Sequence, residues 1–150
     1  MSALTNVHEL HGAEQFYQRW SGDVFALCRL FLGDDYQAEK VMLRTFLAFY
    51  HEARELRVDG ELSPDLVRIA LREMPCTTGA RREGPGAQFE NCILALQCQQ
   101  RAVFILRNVL RMGWPVIVQA INLPLEQIRE LWLKGMLTVR ELLPRDFFER

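Results

Sequence analysis

Trp114-Pro115-Val116-Ile117-Val118-Gln119-Ala120-Ile121-Asn122-Leu123-Pro124-Leu125-Glu126-Gln127-Ile128-Arg129-Glu130-Leu131-Trp132 is the stretch on which the fold turns. Its apolar residues recur at helical spacing, which predicts a short helix over 116–121 and a longer one from about Leu125 to Leu143. The turn between them needs a residue that tolerates a left-handed backbone, and Asn122 is the commonest substitute for glycine there. Leu123 tucks beneath the turn. Pro124 begins the second helix where no amide donor is required. Ile128 and Trp132 then point back at Ile117 and Ile121. Gln127, Arg129, Glu130, Leu131 and Lys134 are left on other faces, where a recognition helix meets a major groove. The pattern is a helix-turn-helix, although any αα-hairpin can end in Asn-x-Pro.

Upstream, Phe89 to Leu96 and Arg101 to Leu110 give two further helical patterns, stopped by Gly113-Trp114-Pro115. Before them, Pro75-Cys76-Thr77-Thr78-Gly79-Ala80-Arg81-Arg82-Glu83-Gly84-Pro85-Gly86 cannot continue a helix and looks like a linker. In the first half, Phe16, Trp20, Val24, Leu27 and Phe31 step by three or four to form one apolar stripe that ends at Gly33. Asp34-Asp35 opens a second helix running to about Glu55, with Ala38, Val41, Met42, Thr45, Phe46 and Phe49 on one face. Ser63-Pro64 supplies an N-cap and a first-position proline for a third short helix carrying Leu66, Val67, Ile69, Ala70 and Met74. Strand-like alternation is scarce, so the fold class is all-α. Residues 1–74 form a three-helix domain, 75–88 a linker, and 89–150 a helix-turn-helix domain.

The chain has 150 residues, of which 49% are hydrophobic and 25% charged, with 9 Gly and 6 Pro, a composition that argues against disorder. Its formal net charge of −1 hides a division: residues 1–74 carry −4, 75–90 carry none, and 91–150 carry +3. The C-terminal part can sit on a polyanion, and the N-terminal half is not held there by charge. The four cysteines contain no CxxC pair and the three histidines stand at no ligand spacing, so neither a zinc site nor a disulfide is expected. Cys92 and Cys98 read as small core residues, and His8 and His11 as part of a mobile N-terminal segment. No apolar run approaches the roughly 20 residues of a membrane span. The N-terminus lacks a basic start and an apolar core, so it is not a secretory signal. A cytoplasmic chain with reduced thiols is expected. No Ser, Cys or carboxylate stands in a catalytic arrangement, so neither an enzyme nor a cofactor is expected. Trp20, Trp114 and Trp132 read as core rather than base-stacking platforms.

In the first half, Phe16-Tyr17-Gln18-Arg19-Trp20 with Val24 to Arg29, Leu32-Gly33-Asp34 with Ala38-Glu39, Thr45 to Tyr50, and Ser63 to Ala70 follow one another at consistent spacing. In the second, Ile93 to Leu96, Arg101 to Arg107, Trp114, Ile117 and Ile128-Arg129 do the same. This order resembles the small two-domain extracytoplasmic-function sigma factors, the ECF group of the sigma-70 family of bacterial RNA polymerase, over about residues 14–143. The resemblance implies a transcription initiation factor. Its first domain would bind the polymerase core and the −10 promoter element, and its second the −35 element through the helix-turn-helix. Carried over by position, Gln127, Arg129, Glu130 and Lys134 would face DNA, with Arg107, Arg111 and Arg140 as candidate phosphate contacts. Glu39, Lys40, Leu43, Arg44 and Leu47 would meet the polymerase. An anti-sigma factor or another regulatory protein is a further implied partner, and a membrane is not.

Several positions depart from that pattern. Where the family usually carries an aspartate, a glutamine and an acid, this chain has Lys40, Leu43 and Arg44. Basic residues there would repel a partner complementary to an acidic helix, at a cost of up to several kcal/mol. Leu66 replaces the family's tryptophan near the end of the first domain, and Val58-Asp59-Gly60-Glu61 has no aromatic residue to receive a flipped base. Leu131 and Met136 stand where arginine is frequent, and Glu126, Glu130 and Glu141 add negative charge, which weakens phosphate neutralisation. Leu43, Leu131 and Met136 either pack against a neighbouring helix or stand exposed. The alternative function is therefore a sigma-derived protein-interaction module or regulator that has lost normal polymerase or promoter binding.

Overall fold

The structure is a computed structural model that describes residues 7–52, 55–76, 83–84 and 86–144, with side chains from residue 10 onward. Among the described residues seven α-helices follow in order: α1 Val7–Leu32, α2 Asp35–Glu52, α3 Pro64–Glu73, α4 Ala87–Leu94, α5 Cys98–Phe104, α6 Trp114–Ile121 and α7 Leu125–Leu142. No strand occurs among the described residues. The chain is all-α, as its periodicity predicts.

The α1 stripe of Phe16, Trp20, Val24, Leu27 and Phe31 is buried throughout. Phe16 stacks on Phe49 at 4.8 Å between ring centroids and meets Phe46 edge-on at 5.9 Å, which locks α1 to α2. Gly33, at φ 73°, closes α1 by donating its amide to the Arg29 carbonyl at 2.8 Å. Asp34 caps the next helix, its Oδ1 accepting from the Gln37 amide at 3.1 Å. Ser63 caps α3 through Oγ, which accepts from the Leu66 amide, and Pro64 takes the first helical position. The buried Thr45 hydroxyl donates to the Val41 carbonyl at 2.7 Å and so leaves no unmet donor on that face. Two N-terminal details differ from expectation. His8 and His11 belong to α1, which begins at Val7 because its helical register continues upstream of Phe16. Downstream, α2 is described as far as Glu52, and Glu55, expected at its end, is not helical.

The second half packs on the first through a continuous apolar core. It runs from Phe31 and Leu66 to Ile93, Val103, Leu106, Ile117 and Ile128. Arg101 lies inside it, only 2% exposed. Its guanidinium donates to the carbonyls of Phe31 at 2.8 Å, Leu94 at 2.8 Å and Leu96 at 3.0 Å. The carbonyls of Phe31 and Leu94 lie at the C-terminal ends of α1 and α4, where partial negative charge favours a cation, and that of Leu96 just beyond α4. Burial pulls the Arg101 pKa down, and those acceptors compensate. Two surface contacts join the halves further out. Arg29 spans Glu90 at 2.9 Å and Asp35 at 3.0 Å, and Arg68 donates to the Gln119 carbonyl at 3.2 Å.

The cysteines correct the sequence expectation. Cys76 and Cys98 form a disulfide, 22 positions apart in sequence, with Cα atoms 5.9 Å apart. The pair has no local spacing signature because tertiary packing brings the end of α3 beside the start of α5. Cys28 and Cys92 are free and buried, so Cys92 is the core residue expected and Cys98 is not simply one.

Candidate partner and nucleic-acid interfaces

The turn between α6 and α7 forms as its residues dictate. After Phe104, α5 continues as a π-helical turn over Ile105–Val109, and Arg111, at φ 56°, redirects the chain toward α6. Asn122 adopts φ 62° and ψ 47°, its amide bonding the Val118 carbonyl at 2.8 Å, and Pro124 stands just before α7 with its carbonyl accepting from Ile128. Ile117 and Ile128 are fully buried. Trp132 meets Trp114 edge-on at 5.6 Å, so both tryptophans serve packing.

Gln127, Arg129, Glu130 and Lys134 all stand exposed on α7. Lys134 is paired to Glu130 at 3.0 Å, so part of its charge is neutralised within the helix. Gln127, Glu130, Leu131 and Lys134 share a shallow depression of about 190 Å³ with Gln99 and Leu123. Arg111 and Arg140 are exposed. Arg107 turns inward, its Nη1 donating to the Met112 carbonyl at 3.0 Å and its guanidinium 4.4 Å from the centre of the Trp114 ring. Leu131 is half-buried, and Met136 lies at the surface with its Sδ 3.3 Å from Asn108 Nδ2. Sequence reading missed Leu133 and Leu137, which are 52% and 51% exposed. Their i, i+4 spacing sets an apolar strip on the solvent side of α7.

Glu39, Lys40, Leu43, Arg44 and Leu47 come together on the outward side of α2. Leu43 and Leu47 are 46% and 60% exposed, and Tyr36, at 64%, continues their line. Tyr36 was not anticipated, although 36, 40, 43 and 47 lie on one helical stripe. Lys40 Nζ sits 4.5 Å from the centre of the Tyr36 ring, while Arg44 reaches Glu73 only at 3.8 Å. The departures at Lys40, Leu43 and Arg44 are thus surface features, and this face is apolar with a basic margin.

Between the end of α2 and the start of α3 lies a cleft of about 530 Å³ floored by Phe16 and Phe49. Among the described residues its rim carries the carboxylates of Glu52, Glu55, Asp59, Glu61 and Asp65, together with Arg57. Arg72 grips Glu52 with two hydrogen bonds, at 3.1 and 3.0 Å, and holds its carboxyl below the usual carboxylate range. A rim of this sign repels a phosphodiester strand. Among the described residues there is no cluster of potential metal ligands, and no helix is long and apolar enough to cross a membrane.

No family model and no curated protein matches the sequence. Among solved structures, the chain is similar to the sigma factor RpoE in its complex with the anti-sigma factor NepR from Bartonella quintana. The match has a TM-score of 0.72 at 13% identity and covers 89% of this chain and 97% of that one. The order of helices and this superposition agree: the chain has the fold of that sigma factor.

Proposed function

We propose that the chain is a sigma-like transcription initiation factor of the cytoplasm, binding the core of a bacterial RNA polymerase through α2 and promoter DNA through α7, with no catalytic activity of its own. The observation that carries this reading is the outward face of α7, with Arg129, Gln127 and Lys134 exposed on a sigma-factor fold covering nearly the whole chain. The chain divides functionally as its sequence does, into residues 1–74 for the polymerase and the −10 element, a linker at 75–88, and residues 89–150 for the −35 element. An anti-sigma protein is a fitting partner, as the solved relative is complexed with one. A second reading, a sigma-derived interaction module, is favoured by one group of observations: the exposed Tyr36, Leu43 and Leu47 beside Lys40 and Arg44, together with the acidic cleft.

Gel filtration with core polymerase at micromolar concentration separates the two. Co-elution is expected for the initiation factor, and its loss in Leu43→Glu/Leu47→Glu assigns binding to α2. Elution apart from the core, with capture of a different protein, supports the second reading. Arg129→Ala should weaken binding of the polymerase-bound protein to promoter DNA and reduce the salt slope by about 1. Unchanged binding would mean that α7 is not the helix that reads DNA.

A further inference from the structure

The disulfide is out of place in a reducing compartment, where thiols stay free and a disulfide is usually transient, catalytic or redox-sensing. Its position gives it a task. Cys76 closes the first half just after α3, and Cys98 is the first residue of α5, so the bond ties the two halves across the intervening linker and α4. The Cα atoms of Cys76 and Cys98 are held 5.9 Å apart. Cys76 is exposed and Cys98 half-buried, so a small thiol or a redox protein can reach the sulfurs. The other two cysteines are poor competitors: burial pushes the Cys28 thiol up to about 12 and also raises that of Cys92.

Separation of the halves has a reason. Promoter elements labelled −10 and −35 differ by about 25 base pairs, or roughly 85 Å of duplex at about 3.4 Å per pair. A compact 150-residue chain has a radius of gyration near 15 Å and spans only about 40 Å. The halves must therefore part for both to be read.

We propose that Cys76 and Cys98 form a reversible thiol-exchange site that latches the two halves in the closed arrangement when oxidised and permits them to part when reduced. This rests on the sigma-like reading, which places the chain with polymerase in a reducing compartment. In the opening step, two electrons and two protons from a protein dithiol or from two glutathione thiols break the Sγ–Sγ bond and leave two cysteine thiols. The donor becomes the disulfide. Exchange with oxidised glutathione reverses the step. Reduction leaves the closed form standing on Arg101, the Arg29–Glu90 and Arg68 contacts and the apolar core, so it lowers the cost of opening without abolishing closure.

The test uses the full chain, first treated with oxidised glutathione, then alkylated and digested. A peptide linking Cys76 to Cys98 is expected in the mass spectrum, with Cys28 and Cys92 alkylated only after denaturation. Full alkylation of Cys76 and Cys98 in the folded, oxidant-treated protein would overturn the proposal. Hydrogen exchange is then compared at the α3–α6 contact. Reduction, Cys76→Ser and, as a second variant, Cys98→Ser should each speed it by about tenfold or more, because the cross-link no longer restrains the opened chain. Identical exchange in oxidised and reduced protein would refute the latch. Core-polymerase binding is measured in both states. A latch that responds in exchange while neither state binds polymerase leaves the latch standing and removes the sigma-like reading.

Discussion

Arg101 shows how one residue can carry a tertiary fold. Its sequence neighbours, Arg101-Ala102-Val103-Phe104, look like part of an amphipathic helix, and nothing local says that its charge lies inside. The structure buries it because three carbonyls at or just beyond two helix ends converge on one guanidinium. Arginine suits the place: its planar fork serves several acceptors at once, while a lysine ammonium is a compact point charge. Arg101→Ala would leave those carbonyls without their cation and should lower unfolding stability by about 3 kcal/mol or more, with Arg101→Lys recovering only part. Urea denaturation of the two variants checks this, and a loss below 1 kcal/mol for alanine would mean that the carbonyls find water. At the same scale, every residue proposed from sequence to meet the polymerase is exposed, whereas Arg107 is engaged with Met112 and Trp114. A pattern of charges gives the helical face, but not whether a long side chain folds back.

At the scale of elements, the helix caps and the turn were the most legible features. Gly33, Ser63-Pro64 and Asn122 each act through short-range backbone chemistry, so their roles follow from neighbours a few residues away. Asn122 holds a left-handed conformation that a β-branched residue resists. Asn122→Val should cost about 1–3 kcal/mol, while Asn122→Gly should be close to neutral, each read as a shift in urea midpoint. Gly135 makes the opposite prediction. It is buried within α7, and a Cβ there would meet Gln100 O and Leu96 Cδ1 at 3.7 Å, which is ordinary contact. Gly135→Ala should therefore stabilise the protein by about 0.5–1 kcal/mol through helix propensity, and a destabilised variant would show that α7 cannot yield even that space against α5. The π-helical turn after α5 was not legible, since a change from four-residue to five-residue hydrogen bonding follows from how Ile105 and Leu106 are drawn into the core.

At the scale of the whole molecule, the sequence divides at its Gly/Pro-rich segment while the core does not. Phe31 and Leu66 share one cluster with Val103 and Ile117, so loss of either half exposes apolar surface of the other. Trp20 reports on the first half, and Trp114 and Trp132 on the second. Their fluorescence should change at one urea midpoint in the oxidised protein, tested with Trp20→Phe and a Trp114→Phe/Trp132→Phe variant. Two separated midpoints would show that the halves unfold independently. The sequence by itself determined the helical class, the caps and turn at Gly33, Ser63-Pro64 and Asn122, and the inward stripe of α1, since all of these depend on periodicity and on contacts a few residues apart. Only the tertiary structure decided that Arg101 is buried, that Cys76 meets Cys98, that five carboxylates ring one cleft, and that the halves close on each other. Each of these joins residues distant in the chain, and such encounters depend on how whole helices dock.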